Sequence, residues 1–349
     1  MRNLAILASA LALTGCANLP FYVQAARGQL DLNKRRVPVA EVIADPATGE
    51  KLRRRLEVAS MARDFAVSEL GLPDNGSYRT YADLERPYVT WNVFAAPEFS
   101  VSPKTWCYPV TGCVSYRGYF REHAAVKHAA RIASDGLDTY VGGVPAYSTL
   151  GRLKDPIVSS MLGSSDNRLV ATMFHELAHQ QIYVKGDSAF NESFATAVAN
   201  EGLRRWVLET RQDASVLDDW RKQAARHRDF VALVQETRES LADVYESGIA
   251  PEKMRAEKAA MLDQMKRRYE ELKSAWSGYS GYDGWFEKGV NNAKLGSVGT
   301  YQDWVPAFGV LLEDNDGSLA DFYAAVADLG ELKRDARDKA LRTLVNRSK

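Results

Sequence analysis

The sequence predicts an α+β fold that is mostly helical. A small antiparallel β-sheet region, at about residues 78–150, is expected to pack on a pair of metal-ligating helices. A long antiparallel helical hairpin and C-terminal helices complete it. Three observations carry the prediction. Apolar residues recur at helical spacing through most of the 349 residues. Between Tyr78 and Tyr119 the texture changes to Val, Thr, Tyr, Phe and Trp broken by Pro and Gly. The stretch "ATMFHELAHQQIY", residues 171–183, buries three ionisable groups in an apolar helix.

The chain opens with "MRNLAILASALALTGC". Arg2 is a short positive n-region, and Leu4 to Leu13 is an apolar run too short for a permanent membrane helix. Residues 1–15 therefore read as a signal peptide. Leu13-Thr14-Gly15-Cys16 resembles the lipobox of bacterial lipoproteins. That resemblance implies acylation of Cys16, and Ala17 after it implies the outer membrane, facing the periplasm. The other reading is an ordinary cleaved signal with a chance Cys. Acyl chains anchor by burying methylenes, so the rest of the chain need not be apolar.

Residues 17–80 read as largely helical, with "EKLRRRLEVASMARDFAVSELGL" stopping at Gly71 and Pro73. Strands and turns follow. Cys107 and Cys113, with Pro109 and Gly112 between them, read as a small disulfide loop in an oxidising compartment; two free buried thiols are the alternative. "REHAAVKHAARIASDG" returns to helix, and its charged character is expected to expose His123 and His128, which makes them less attractive as catalytic groups. "DTYVGGVPAYSTLG" reads as an edge strand whose "AYSTL" portion, including Ala146, Tyr147 and Ser148, is placed to bind peptide by strand addition. The region 16–165 is thus an N-terminal α+β unit.

Residues 166–211 form the helix pair. His175-Glu176-Leu177-Ala178-His179 is an HExxH pattern. Residues i and i+4 share a helix face, so both imidazoles can reach one ion, which the pattern identifies as Zn2+, one per chain. Glu176 sits one step round the helix, where it serves as general base rather than ligand. The first helix should end near Val184, with Gly186 turning the chain and Asp187 and Ser188 capping the return helix. That brings Glu192 level with His179 as the third ligand, whereas Glu201 lies roughly 13 Å further along and on the opposite face. Thr196, one turn later, and Asn191 are expected to orient ligands or substrate.

Residues 212–275 are rich in helix formers and turn at Gly248 and Pro251. They read as the hairpin, with a solvated charged face or a protein-partner surface. Residues 276–349 form a C-terminal helical region. Regions 16–165 and 166–349 are expected to make one catalytic unit. Lys+Arg and Asp+Glu both number 45, which removes the electrostatic reason to expect a nucleic-acid partner.

"HELAH" and "NES" resemble the gluzincin metallopeptidases, although the spacer between His179 and Glu192 is shorter than in the best-known members. The wider sequence resembles a bacterial lipoprotein family of predicted or putative aminopeptidases. The resemblance is carried by "GCANLPFYVQAARGQL", "GCVSYRGYF", "VPAYSTLG", "MFHELAHQ", "FNESFA" and "NNAKLGSVGTYQDWVPAFG". It implies a zinc-dependent peptidase acting on peptides in the periplasm. Gluzincins commonly add a Tyr or His as oxyanion donor; Tyr301 and Tyr116 are the candidates here. Asn291 and Asn292 are candidates for holding a substrate amine or carbonyl. A non-catalytic zinc-bound envelope scaffold, or a zinc amidase acting on cell-wall peptides, remain as other readings.

Overall fold

The structure is a computed structural model describing residues 19–108, 112–146, 148–149, 151, 153–298 and 304–347. Cys16, Tyr147 and Tyr301 lie outside the described residues. Helix α1 (19–34) leads into β1 (Arg36–Pro38), α2 (Val39–Ala44) and α3 (Glu50–Ser68). Strands β2 (Thr80–Ala82), β3 (Thr90–Pro97), β4 (Trp106–Tyr108), β5 (Gly112–Val114) and β6 (Arg117–Tyr119) follow, then α4 (Glu122–Ser134) and β7 (Leu137–Val144). After β8 (Ile157–Val158) and a 3-10 turn (Ser159–Gly163) come α5 (Asp166–Gln181) and α6 (Ser188–Glu209). The remainder is helical: α7 (Ser215–Glu246), α8 (Pro251–Ala275), α9 (Asp283–Glu287), α10 (Asn292–Ser297), α11 (Val305–Asp314), α12 (Leu319–Glu331) and α13 (Arg334–Arg347).

The fold is α+β and mostly helical, as the sequence predicts. Its strands reach beyond the expected window. β1 pairs antiparallel with β2, and β2 pairs parallel with β8, so one small sheet draws on residues outside 78–150. Such a pairing leaves no local sequence signal, because the partners are far apart in the chain. β3 is flanked antiparallel by β6 and β7, which leaves β7 at an edge. Cys107 and Cys113 face each other across the β4–β5 hairpin and are disulfide-bonded. His128 is half-buried rather than exposed, lying against the Trp106 and Tyr119 rings. Burial and the nearby cations of Arg117 and Arg131 push its pKa down to about 4.

The main core joins α3, α5, α6 and α11–α13. Phe174, Phe190, Phe194, Phe308 and Phe322 are all essentially buried in it. Each such ring contributes ~1.5–3 kcal/mol through the hydrophobic effect. Gly202 of α6 lets the helices approach closely, since a Cβ there would meet Phe174 and Leu70 at 2.7 Å. A second core lies between α7, α8 and residues 276–298, built on Phe230, Leu233, Met265, Tyr269, Trp276 and Phe286. The hairpin is therefore no free arm. Lys258 of α8 also reaches Asp138 at the start of β7, at 2.6 Å. Among the described residues no helix is long and apolar enough to cross a membrane.

Candidate metal centre

Helix α5 begins where Ser165 accepts a hydrogen bond from the Arg168 N–H, and Asp166 in its first turn is gripped by Arg54 and Arg55. Its inward face buries Leu169, Met173, Phe174 and Leu177, which fixes how far the helix is rotated. The helix ends at Gln181, three residues short of Val184, and Ile182 is already extended. The reason is Asn191. Its side chain accepts from Val184 N–H and donates to Val184 C=O, both at 2.8 Å, and so takes the backbone groups a longer helix would use. Asn191 is thus spent on the turn and holds no substrate. Gly186 turns the chain at φ +82°, and Asp187 caps α6 by accepting from Phe190 N–H.

That turn sets the register between α5 and α6. His175 Nε2 lies 3.2 Å from Glu192 Oε2 and 3.2 Å from His179 Nε2, and His179 Nε2 lies 3.6 Å from Glu192 Oε1. Tetrahedral ligands held 2.0–2.1 Å from a zinc ion stand about 3.3 Å from one another. The two imidazole nitrogens and the two Glu192 carboxylate oxygens stand at about that spacing, and the three residues form a group able to hold a metal ion. The residues fit a divalent cation. Glu201, excluded by spacing, instead pairs with Arg204 and Arg205 at 2.7 Å.

The electrostatics follow from this cluster. Burial raises the Glu192 carboxyl pKa, but the hydrogen bonds from His175 and His179 outweigh it and hold the group down at about 2. Burial lowers the His175 pKa, yet the Glu192 hydrogen bond and the charges of Glu176 and Glu192 leave it above its usual value. Glu176 binds protons more tightly than a free carboxylate. Burial is the main cause, and the two histidines offset it only in part.

The other predicted residues are distributed unevenly. Tyr116 is close enough for the Glu192 charge to join burial in raising its phenol pKa. Thr196 lines the same cleft as His175. Ala146 and Ser148 are not in a strand: β7 stops at Val144, and the Ser148 and Thr149 hydroxyls turn instead to buried Asp155. Asn291 caps α10 and donates to Thr139 C=O at 3.0 Å. Asn292 is fully buried; it donates to Pro97 and Glu98 carbonyls and accepts from the Tyr245 hydroxyl. Both asparagines stitch α10 to the sheet, and Asn292 has its amide fully engaged.

Two further features escape the sequence reading. The first is Tyr78, only 2% exposed, whose backbone sits at φ +62°. Its N–H donates to Asp155 C=O at 2.6 Å, and buried Arg63 pins the preceding loop through Ser77 and Pro73 carbonyls. Asn75 in that loop donates to Gln180 Oε1 at 2.5 Å, and Gln180 shares a helix face with Glu176. Among the described residues the buried Tyr78 hydroxyl has no hydrogen-bond partner. Burial and the Glu176 charge raise its pKa far above the usual phenol range. Nothing in the local sequence marks it.

The second is the wall supplied by α7. A cleft of about 410 Å³ opens at His175 and is lined by Arg168, Thr196, Trp220, His227, Arg228 and Tyr282, among others. It adjoins a cavity of about 400 Å³ that shares His227 and Tyr282 and reaches Gly142, Gly143 and Val144 of β7. His227 Nδ1 stands 3.1 Å from the Tyr282 hydroxyl between the two. Trp220, Ala224 and His227 recur at helical spacing, the one signal that a charged tract conceals a functional face.

A family model described as "Putative aminopeptidase" matches residues 20–341. No curated protein and no solved structure matches the chain.

Proposed function

The chain belongs to the putative aminopeptidase family, and from that premise we propose that it is a zinc-dependent peptidase, lipid-anchored at the bacterial outer membrane and acting on periplasmic peptides. One observation carries the reading: two imidazole nitrogens and the Glu192 carboxylate converge at 3.2–3.6 Å beside a second, half-buried carboxylate, Glu176. His175, His179 and Glu192 would hold the zinc. When bound, such an ion supplies Lewis acidity, polarising a scissile carbonyl and making water more acidic.

The chain's own residues account for the rest. Glu176 has a raised proton affinity, which suits a carboxylate that takes a proton from the attacking water and delivers it to the leaving amine nitrogen. Tyr116, whose phenol feels the Glu192 charge, is proposed to donate a hydrogen bond to the developing oxyanion. The peptide is proposed to run along β7. Val144 C=O accepts from Val89 on the β3 side, whereas Thr139 C=O points outward to Asn291. By the alternation of an antiparallel ladder, Val141 and Gly143 also present their N–H and C=O groups outward. The edge that would add a substrate strand is thus 140–144 rather than 146–150.

The test is a substrate panel on zinc-loaded protein: peptides with free N-termini, blocked peptides and muropeptides. Glu176→Gln should retain zinc and lose turnover by at least ~100-fold. Equal turnover in the two proteins would remove Glu176 from the chemistry and leave a zinc-binding scaffold.

A further inference from the structure

Helix α1 has two faces of opposite use. Phe21, Gln24, Gly28 and Leu32 recur at helical spacing and point inward. Phe21 stacks on Tyr108 and lies under the Arg117 guanidinium. Gln24 donates to Gly118 C=O and accepts from Phe120 N–H, both at 3.2 Å. Gly28 is pressed so closely on Phe120 that a Cβ would stand 2.1 Å from the ring, and Leu32 is buried in the main core. The rotation of α1 is therefore fixed.

The outward face is mostly apolar, interrupted by exposed Asn33, which accepts from Gln29 at 3.1 Å. Leu19, Tyr22, Val23 and Leu30 are 58, 42, 39 and 58% exposed, and Ala26 lies exposed between them. Summed at 100° per residue, these five fall within one narrow stripe. A soluble helix reverses this arrangement, with its polar side outward. Arg27 and Lys34 border the stripe and are exposed. The only acid in the helix, Asp31, is turned aside to Arg35 at 3.2 Å.

We propose that this stripe is a membrane-contact surface, seated in the interfacial region of an anionic bilayer. What identifies the occupant is where the stripe begins. Leu19 lies three positions beyond Cys16, the residue whose lipobox context implies acylation. Acyl chains on Cys16 hold that end of the helix at the bilayer, and the apolar face then enters the acyl boundary while Arg27 and Lys34 meet lipid phosphates. The lipids supply retention; the stripe supplies orientation. A lipoprotein on a plain flexible tether would tumble, whereas this one would hold the sheet side of α1 at a set distance from the membrane. The inference is independent of the zinc chemistry, and either can fail alone.

The test uses the full lipoprotein purified from membranes and reconstituted in vesicles of phosphatidylethanolamine and phosphatidylglycerol. Single cysteines replace Leu19, Val23, Ala26, Leu30 or Arg221 and carry a nitroxide; Cys107 and Cys113 are bonded to each other and unavailable to the label. Labels on the stripe should be several-fold more accessible to dissolved oxygen, relative to a water-soluble nickel reagent, than the label at Arg221. Stripe labels as open to nickel as Arg221 would overturn the proposal. So would dipolar broadening between labels, which would show a second copy of the chain covering the stripe, or failure of the protein to associate with vesicles.

Discussion

Arg337 Nη2 on the last helix stands 2.6 Å from Asp187 Oδ2 in the turn between the two ligand-bearing helices, and both side chains are buried. The same guanidinium donates through Nε at 3.1 Å and satisfies the Gly330 and Leu332 carbonyls. The C-terminal helices thus brace the turn that sets the Glu192 register. Removing one partner leaves an unpaired buried charge, which costs about 3–5 kcal/mol. Arg337→Ala is expected to lower the urea midpoint accordingly and to weaken zinc binding with it. Removing both charges, as Asp187→Asn with Arg337→Met, should recover part of the stability. A single variant as stable as wild type would show that the brace carries no energy.

Acid should release the metal early. His175 must be neutral to coordinate, and its pKa is held above the ordinary imidazole value by Glu192, so protons compete from a higher pH than usual. Apparent zinc affinity should begin to fall as pH drops toward that raised pKa and keep falling below it, starting from a higher pH than an ordinary imidazole would give. Glu192, held at about 2, stays ionised throughout. Equilibrium zinc titrations across this range read the slope. Affinity constant down to about pH 5 would contradict the assignment of His175.

Tyr78 separates stability from activity. Its hydroxyl has no partner among the described residues, so Tyr78→Phe removes an unsatisfied buried group and should leave the thermal midpoint unchanged or raised. Its positive-φ backbone is held by Asp155, and its hydroxyl is near enough to feel the Glu176 charge, so a role beside the general base is expected. Turnover of the same variant is expected to fall about 10-fold with zinc stoichiometry intact. A less stable protein with normal turnover would show that the hydroxyl serves packing.

How much of this was legible follows from sequence distance. The α5–α6 pair is written locally: helical spacing puts His175 and His179 on one face, and Gly186 and Asp187 return the chain within a few residues, so Glu192 could be placed by counting rises. The exact end of α5 could not, because it depends on Asn191 capturing Val184. Tyr78 and Asp155 meet only through the parallel pairing of Tyr81 with Ile157, a contact with no local signature. Asn291 and Asn292 look like ligand-binding amides until their partners are known: Asn291 caps α10 and reaches Thr139 C=O, and Asn292 bonds to the distant 97–98 segment, Asp138 and Tyr245. His227 was hidden because one face of a charged helix can be solvated while another lines a cleft.

The central claim is that His175, His179 and Glu192 together hold one divalent ion, and zinc stoichiometry in the purified chain tests it most directly. Elemental analysis after dialysis against trace zinc should give one zinc per chain in wild type and in Glu176→Gln, and far less in His179→Ala and Glu192→Ala. Full zinc occupancy in a folded Glu192→Ala protein would contradict the account.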